Sequence, residues 1–124
     1  MKQIEHTEQV ALMQWWALAC RAYGVPESML FAIPNGGRRD PVTGARLKAE
    51  GVRAGIPDLF LAVPMGGHGG LFIEMKKSHG GRVSEAQTVC IGQLERMGYR
   101  VAVCHGWERA REQIENFLKG DFQE

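Results

Sequence analysis

Apolar residues recur at helical spacing early in the chain. Val10, Met13, Ala17 and Cys20 form one stripe, and Leu12 and Trp16 widen it, which predicts an amphipathic helix from about Thr7 to Tyr23. Gly24 stops that helix and Pro26 follows. The pattern then becomes extended over Leu30-Phe31-Ala32-Ile33 and closes on Pro34-Asn35-Gly36-Gly37. The stretch from Gly36 to Gly55 is basic and glycine-rich, with a short helix fitting around Ala45 to Glu50. Leu59-Phe60-Leu61-Ala62-Val63 is continuously apolar, as in a strand covered on both faces, and Pro57 holds Ile56 in the extended geometry that leads into it. Leu71 to Lys76 is a second strand. The turn-rich segment Pro64 to Gly70 lies between them, so the pair reads as a β-hairpin with a flexible tip.

The helical period returns from about Glu85 to Met97. Ser84 and Gln87 stand at capping-box spacing, Ala86, Val89, Cys90, Leu94 and Met97 make the apolar face, and Gly98 is the stop. Tyr99 to Cys104 is a strand. Glu108 to Leu118 is a last helix, with Trp107 at its entrance and Ala110, Ile114, Phe117 and Leu118 facing inward. The order α-β-β-β-α-β-α predicts an α/β fold, a mixed β-sheet flanked by helices.

Composition agrees with one domain over residues 1–124: 44% of residues are apolar and 23% charged. No apolar run approaches the roughly 18 residues of a membrane span. Met1 to His6 lacks the apolar core of a secretion signal. Cys20, Cys90 and Cys104 lack paired spacing, so reduced thiols and a cytoplasmic location are expected. The net charge of +1 points to no polyanion, but its distribution does. Residues 36–56 carry Arg38, Arg39, Arg46, Lys48 and Arg53 against Asp40 and Glu50, a local balance of +3, whereas residues 107–124 balance at −2.

Side chains alternate along a strand, so Glu74 and Lys76 share one face and Ile73 and Met75 the other. Charges inside an apolar strand are costly unless paired or bound to an ion. A hairpin turn centred on Gly67 sets Asp58 opposite Lys76, with Glu74 diagonal to Asp58 and within reach of a shared ion. Two carboxylates and a lysine are the means for phosphodiester hydrolysis. A divalent cation such as Mg²⁺ is held by one or two carboxylates, waters and the substrate phosphate. It polarises phosphorus and acidifies a bound water, and lysine orients that water and offsets developing charge. The backbone carbonyl of Met75 points toward neither side-chain face, but strand carbonyls beside such a site often complete the metal shell, so it is a candidate ligand.

Gly55-Ile56-Pro57-Asp58, fifteen residues, then Glu74-Met75-Lys76 resembles the PD-(D/E)XK nuclease motif. Asn35 after Ile33-Pro34, the Arg46-Leu47-Lys48 piece, Leu59 after Asp58, and Ser84-x-x-Gln87, in that order, narrow the resemblance to the virus-type replication-repair nuclease family, VRR-NUC, over roughly Glu5 to Leu118. The resemblance implies a restriction-endonuclease-like fold and a DNA nuclease dependent on Mg²⁺ or Mn²⁺. Asp58 and Glu74 match the metal-binding acids, Lys76 the catalytic lysine, and Gln87 a supporting glutamine. The family also has a glutamate on its first helix. Glu5 and Glu8 compete for it, and Glu5 is preferred because Val10 then falls at an aliphatic position. Small standalone members resemble homodimeric Holliday-junction resolvases of phage or prophage origin, so branched DNA is the expected partner.

Other readings compete. Asp58 could end a turn, and Glu74 and Lys76 could protect an edge strand. Gln87 could serve only the helix cap. The basic segment, extended by Lys77 and Arg82, could be a solvated loop rather than a phosphate contact. Gly66 to Gly70 is no P-loop, for no Gly-Lys-Ser/Thr follows. His68 and His79 read as bystanders, and Cys20, Cys90, Cys104 and His105 lack zinc-ligand spacing. Trp15 and Trp16 read as core or dimer contact. A monomeric flap or end-processing nuclease and a non-catalytic DNA-binding module are the alternative functions.

Overall fold

The computed structural model of the chain describes residues 3–34 and 40–122, apart from the side chains of residues 3 and 4. Asn35, Arg38 and Arg39 therefore lie outside the described residues. Among the described residues the elements are α1 (Gln3–Ala19), two short 3₁₀ turns (Cys20–Tyr23 and Glu27–Met29), β1 (Leu30–Ala32), α2 (Pro41–Ala49), β2 (Leu59–Leu61), β3 (Leu71–Lys76), α3 (Glu85–Arg96), β4 (Arg100–His105) and α4 (Trp107–Leu118). The strands form a mixed sheet in the order β1-β2-β3-β4. β1–β2 and β2–β3 are antiparallel, and β3 runs parallel to β4 through the α3 crossover.

Alternation along β3 sorts the layers. Leu71, Ile73 and Met75 point into the core together with Leu12, Trp16 and Cys20 of the first helical segment and Ala110, Ile114 and Phe117 of α4. Phe72, Glu74 and Lys76 point to the opposite face, where α3 lies. Trp16 is fully buried and gives its indole N–H to the carbonyl of Glu27 at 2.8 Å, which satisfies the one polar atom of the ring.

The buried stripe of α1 differs from the one read first. Leu12, Trp16 and Cys20 are the buried line. Val10 is 41% exposed and lines, with Met13 and Ala17, a surface groove. Two apolar lines lie side by side on this helix, and the bulkier one takes the core. α3 is likewise more open than its pattern suggests. Cys90 is its buried residue, while Val89 and Met97 are 54% and 73% exposed.

α2 begins earlier than expected. Asp40 caps it, accepting the Thr43 N–H at 2.9 Å, and Pro41 occupies the first turn. None of its residues is buried. The hairpin tip is packed rather than flexible. Met65 and His68 exchange backbone hydrogen bonds, and the His68 ring lies against Phe117 and Phe122. Gly66, at φ 56°, sits under the Phe122 ring, where a Cβ would overlap it.

The hairpin register is offset by two residues from the expected one. Leu59 pairs with Ile73 and Leu61 with Leu71. Continuing that register sets Asp58 opposite Glu74, not opposite Lys76. An offset of two keeps every side chain on its expected face, so the acids remain neighbours and come closer than the diagonal arrangement would bring them. The seven-residue loop 64–70, with four glycines, conceals where pairing begins.

Candidate active site

Asp58 is fixed from both sides at the entry to β2. Its carbonyl accepts the Ile33 N–H at 2.8 Å, and its side-chain Oδ2 accepts the Met75 N–H, also at 2.8 Å. The carboxylate thus occupies the place of the next backbone acceptor in the β2–β3 ladder. Ahead of it, Gly55 (φ 86°) lets the chain pass against the first turn of α3. A Cβ there would stand 2.7 Å from the Ala86 carbonyl oxygen. Within one strand residue the N–H and C=O point to the same edge. The Met75 carbonyl is therefore directed to the edge where Asp58 lies, while Lys76 turns its carbonyl to β4 and accepts the Gly106 N–H at 3.0 Å.

Glu74 is 4% exposed. Gln87 of α3 donates Nε2–H to Glu74 Oε2 at 2.9 Å. The Gln87 Oε1 accepts from Lys76 Nζ at 3.0 Å and from the Ser84 N–H at 2.9 Å. Lys76 Nζ also lies 3.4 Å from Glu74 Oε2. Ser84 Oγ in turn accepts the Gln87 N–H at 3.1 Å. One amide therefore completes the capping box and links the carboxylate to the ammonium. Its oxygen faces two donors and its nitrogen a carboxylate, which fixes the orientation of the amide.

The electrostatics follow from burial. Burial and the neighbouring Asp58 charge push the Glu74 carboxyl up to about 7, against the pull of Lys76. Burial also raises Asp58. The Met75 N–H opposes that rise, the charge of Glu5 adds to it, and Lys76 opposes it. Glu74 and Asp58 are within hydrogen-bonding reach of each other. The buried Glu74 carboxyl, whose ionisation the half-buried Asp58 beside it disfavours, marks a site short of positive charge, and the added Met75 carbonyl makes the donor set all oxygen. That set fits a hard divalent cation. Among the described residues no three His, Cys, Asp or Glu side chains converge on one point, so the other ligands would be waters and a substrate phosphate.

The two glutamates of α1 occupy different surroundings. Glu5 is half-buried and acts on Asp58 through its charge. Glu8 is engaged elsewhere. It accepts the Trp107 N–H at 3.3 Å and the Ser78 hydroxyl at 3.3 Å. Gly106 offers no capping side chain to α4, so a carboxylate from a distant helix takes that place. The sequence contains no local signal for this contact.

Of the cations read as phosphate contacts, Arg46, Lys48 and Arg53 are exposed and Lys77 is half-buried. Arg46 lies 3.9 Å from Glu50 along α2. None of these four joins the hydrogen-bonded cluster around Glu74. His105 Nδ1 lies 3.1 Å from the Lys77 carbonyl at the end of β3. Burial raises the thiols of Cys90 and Cys104, the latter to about 12, so both stay protonated at neutral pH, and all three cysteines are free. Among the described residues no helix is long and apolar enough to cross a membrane.

A solved structure described as a VRR_NUC domain protein superposes on this chain with a TM-score of 0.81 at 27% identity, over 99% of this chain and 95% of that one. No curated protein sequence matches the chain. The family model of the VRR-NUC domain matches residues 5–108, which include Asp58, Glu74, Lys76 and Gln87. On that match and that superposition, the chain belongs to the VRR-NUC family and has its nuclease-type fold.

Proposed function

We propose that the protein is an endonuclease that hydrolyses phosphodiester bonds in branched DNA with Mg²⁺ or Mn²⁺, acting as a homodimer on four-way junctions. One observation carries the chemistry: Asp58, Glu74 and Lys76 are joined through Gln87 and Met75 in one half-buried cluster. Asp58, Glu74 and the Met75 carbonyl would hold the cation. When bound, the ion activates a water and withdraws charge from the phosphate. Lys76, held by Gln87 and Glu74, orients the attacking water and offsets charge that builds on the phosphoryl oxygens. Glu5 adds negative charge beside Asp58. Arg38, Arg39, Arg46, Lys48, Arg53 and Lys77 serve the DNA backbone. Two sites related by a two-fold axis suit paired incision of a symmetric junction, a preference that rests on family analogy.

The test is cleavage of a labelled four-way junction beside flap, duplex and single-stranded DNA, with Mg²⁺, Mn²⁺ or EDTA. Metal-dependent paired nicks in the junction are expected. Cutting of flaps or ends alone, by a protein of monomer mass, would keep the nuclease and remove paired incision. Binding without any cutting would leave a non-catalytic module.

A further inference from the structure

The face of the sheet that carries Glu74 and Lys76 also carries a row of aromatic rings. Phe31 of β1 is paired with Phe60 of β2, and Phe60 with Phe72 of β3. Phe31 meets Phe60 edge-on at 5.9 Å, and Phe60 lies 4.3 Å from Phe72. Tyr99, just ahead of β4, packs against both inner rings at 5.8 and 5.3 Å. Phe72 precedes Glu74 by two residues, so the row and the acids share one face. Glycines make room for it. A Cβ on Gly70 would meet the Phe60 ring at 2.5 Å, and one on Gly69 would meet Tyr99 at 3.0 Å. The inner rings are half-buried, and the outermost, Phe31, is 42% exposed on the edge strand.

A single exposed phenylalanine is ordinary. This one is the open end of a braced row that does not belong to the main core, which lies on the other face. Two strand spacings and two residues along β3 put Phe31 about 12 Å from Glu74. At about 3.4 Å per stacked nucleotide, a strand whose phosphate sits at the acids reaches Phe31 within a few nucleotides. Ring faces bind bases by stacking, without regard to sequence. Inside an intact duplex those faces are already covered, while flaps, bulges and junction centres leave them open.

We propose that Phe31, backed by Phe60 and Phe72, stacks on an unstacked base of the DNA strand that crosses this face, and so selects DNA with open base faces, as at flaps and junction centres, near the cleavage point. The proposal rests on the nuclease reading and adds a specificity-determining residue to it. The backing rings hold Phe31 in place, so little side-chain freedom is lost on binding.

The test uses the full chain in EDTA, where no cutting occurs. Flap and duplex DNA carry 2-aminopurine at the unpaired position or at its paired equivalent. Phe31→Ala should weaken flap binding by about tenfold to a hundredfold, the range one base–aromatic stack supports. Duplex binding should be unchanged, quenching of the unpaired 2-aminopurine should be lost, and Phe31→Tyr should restore both. Flap binding by Phe31→Ala equal to wild type overturns the proposal, as does equal weakening on flap and duplex. A fall from dimer to monomer mass in Phe31→Ala assigns the ring to a protein interface and also overturns it. Because binding is read without cleavage, a Phe31 effect in a wild-type protein that cuts nothing would overturn the nuclease reading alone.

Discussion

The side chain of Asp58 and the backbone of Met75 are joined at 2.8 Å where the β2–β3 ladder ends. One carboxylate therefore has two roles, closing the sheet and supplying negative charge to the site. The two separate by mutation. Asparagine keeps an oxygen for the Met75 N–H and loses the charge, so Asp58→Asn should fold with wild-type stability or better at neutral pH and lose cleavage by a factor on the order of a thousand. Asp58→Ala leaves the N–H unpaired and should cost a further ~1–3 kcal/mol. Denaturant melts beside cleavage rates check both. Near-wild-type cutting by Asp58→Asn would remove Asp58 from the site.

Glu74 makes stability depend on pH in an unusual direction for an acid. Its carboxyl is raised from 4.5 to about 7, so between those values the folded chain keeps a proton that the unfolded chain has released. Stability then falls as pH rises through that window, by an amount on the order of 3 kcal/mol for a full shift of one group. In EDTA the thermal midpoint should fall between pH 5 and pH 7.5. Mg²⁺ or Mn²⁺ at pH 7.5 should raise it again, because a cation binds the ionised pair. Glu74→Gln should flatten the slope and abolish the response to metal. Calorimetry in matched buffers reads all three, and a wild-type slope in Glu74→Gln would show that the titration lies elsewhere.

Ser84 and Gln87 share the helix cap, but only Gln87 reaches the charges. Ser84→Ala should lower stability by about 1 kcal/mol and leave the cleavage rate of the folded protein intact. Gln87→Ala should lower stability by a similar amount and slow cleavage by about tenfold to a hundredfold, since Lys76 and Glu74 lose the amide that aligns them. Equal rates for the two variants would confine Gln87 to the cap.

Glu5 and Glu8 differ in what they touch, so their variants should differ in kind. Glu5→Gln removes a negative neighbour of Asp58 and should lower the Asp58 pKa with little change in stability. Glu8→Ala leaves the Trp107 N–H without its carboxylate and should cost about 1 kcal/mol. Carboxyl NMR titration of Asp58 reads the first, and thermal melts read the second. An Asp58 titration unmoved by Glu5→Gln would detach Glu5 from the site.

Much of this arrangement is legible in the sequence, because local chemistry marks it. Pro57, the Ser84–Gln87 spacing and Gly98 delimit their elements, and alternation alone puts Glu74 and Lys76 on one face. Asp40-Pro41 is an equally local signal, which the glycines around it obscure. What is not legible depends on tertiary competition. Val10 and Leu12 start two apolar lines on one helix, and only packing against Ile114 and Phe117 decides between them. The hairpin register is hidden by a loop that accepts more than one pairing. The Glu8–Trp107 contact and the aromatic row join residues from separate elements, and no spacing announces them.

The Glu8 contact also orders events in time. The amide that receives α1 belongs to Trp107, 99 residues further along the chain. On a ribosome, the first helix emerges early and its anchor emerges among the last elements. A chain cut short before that point already contains Asp58, Glu74, Lys76 and Gln87, but not the anchor that seats the helix bearing Glu5. In an unfinished copy Glu5 is present but not yet held beside Asp58, and the cluster is assembled only after synthesis has passed Trp107.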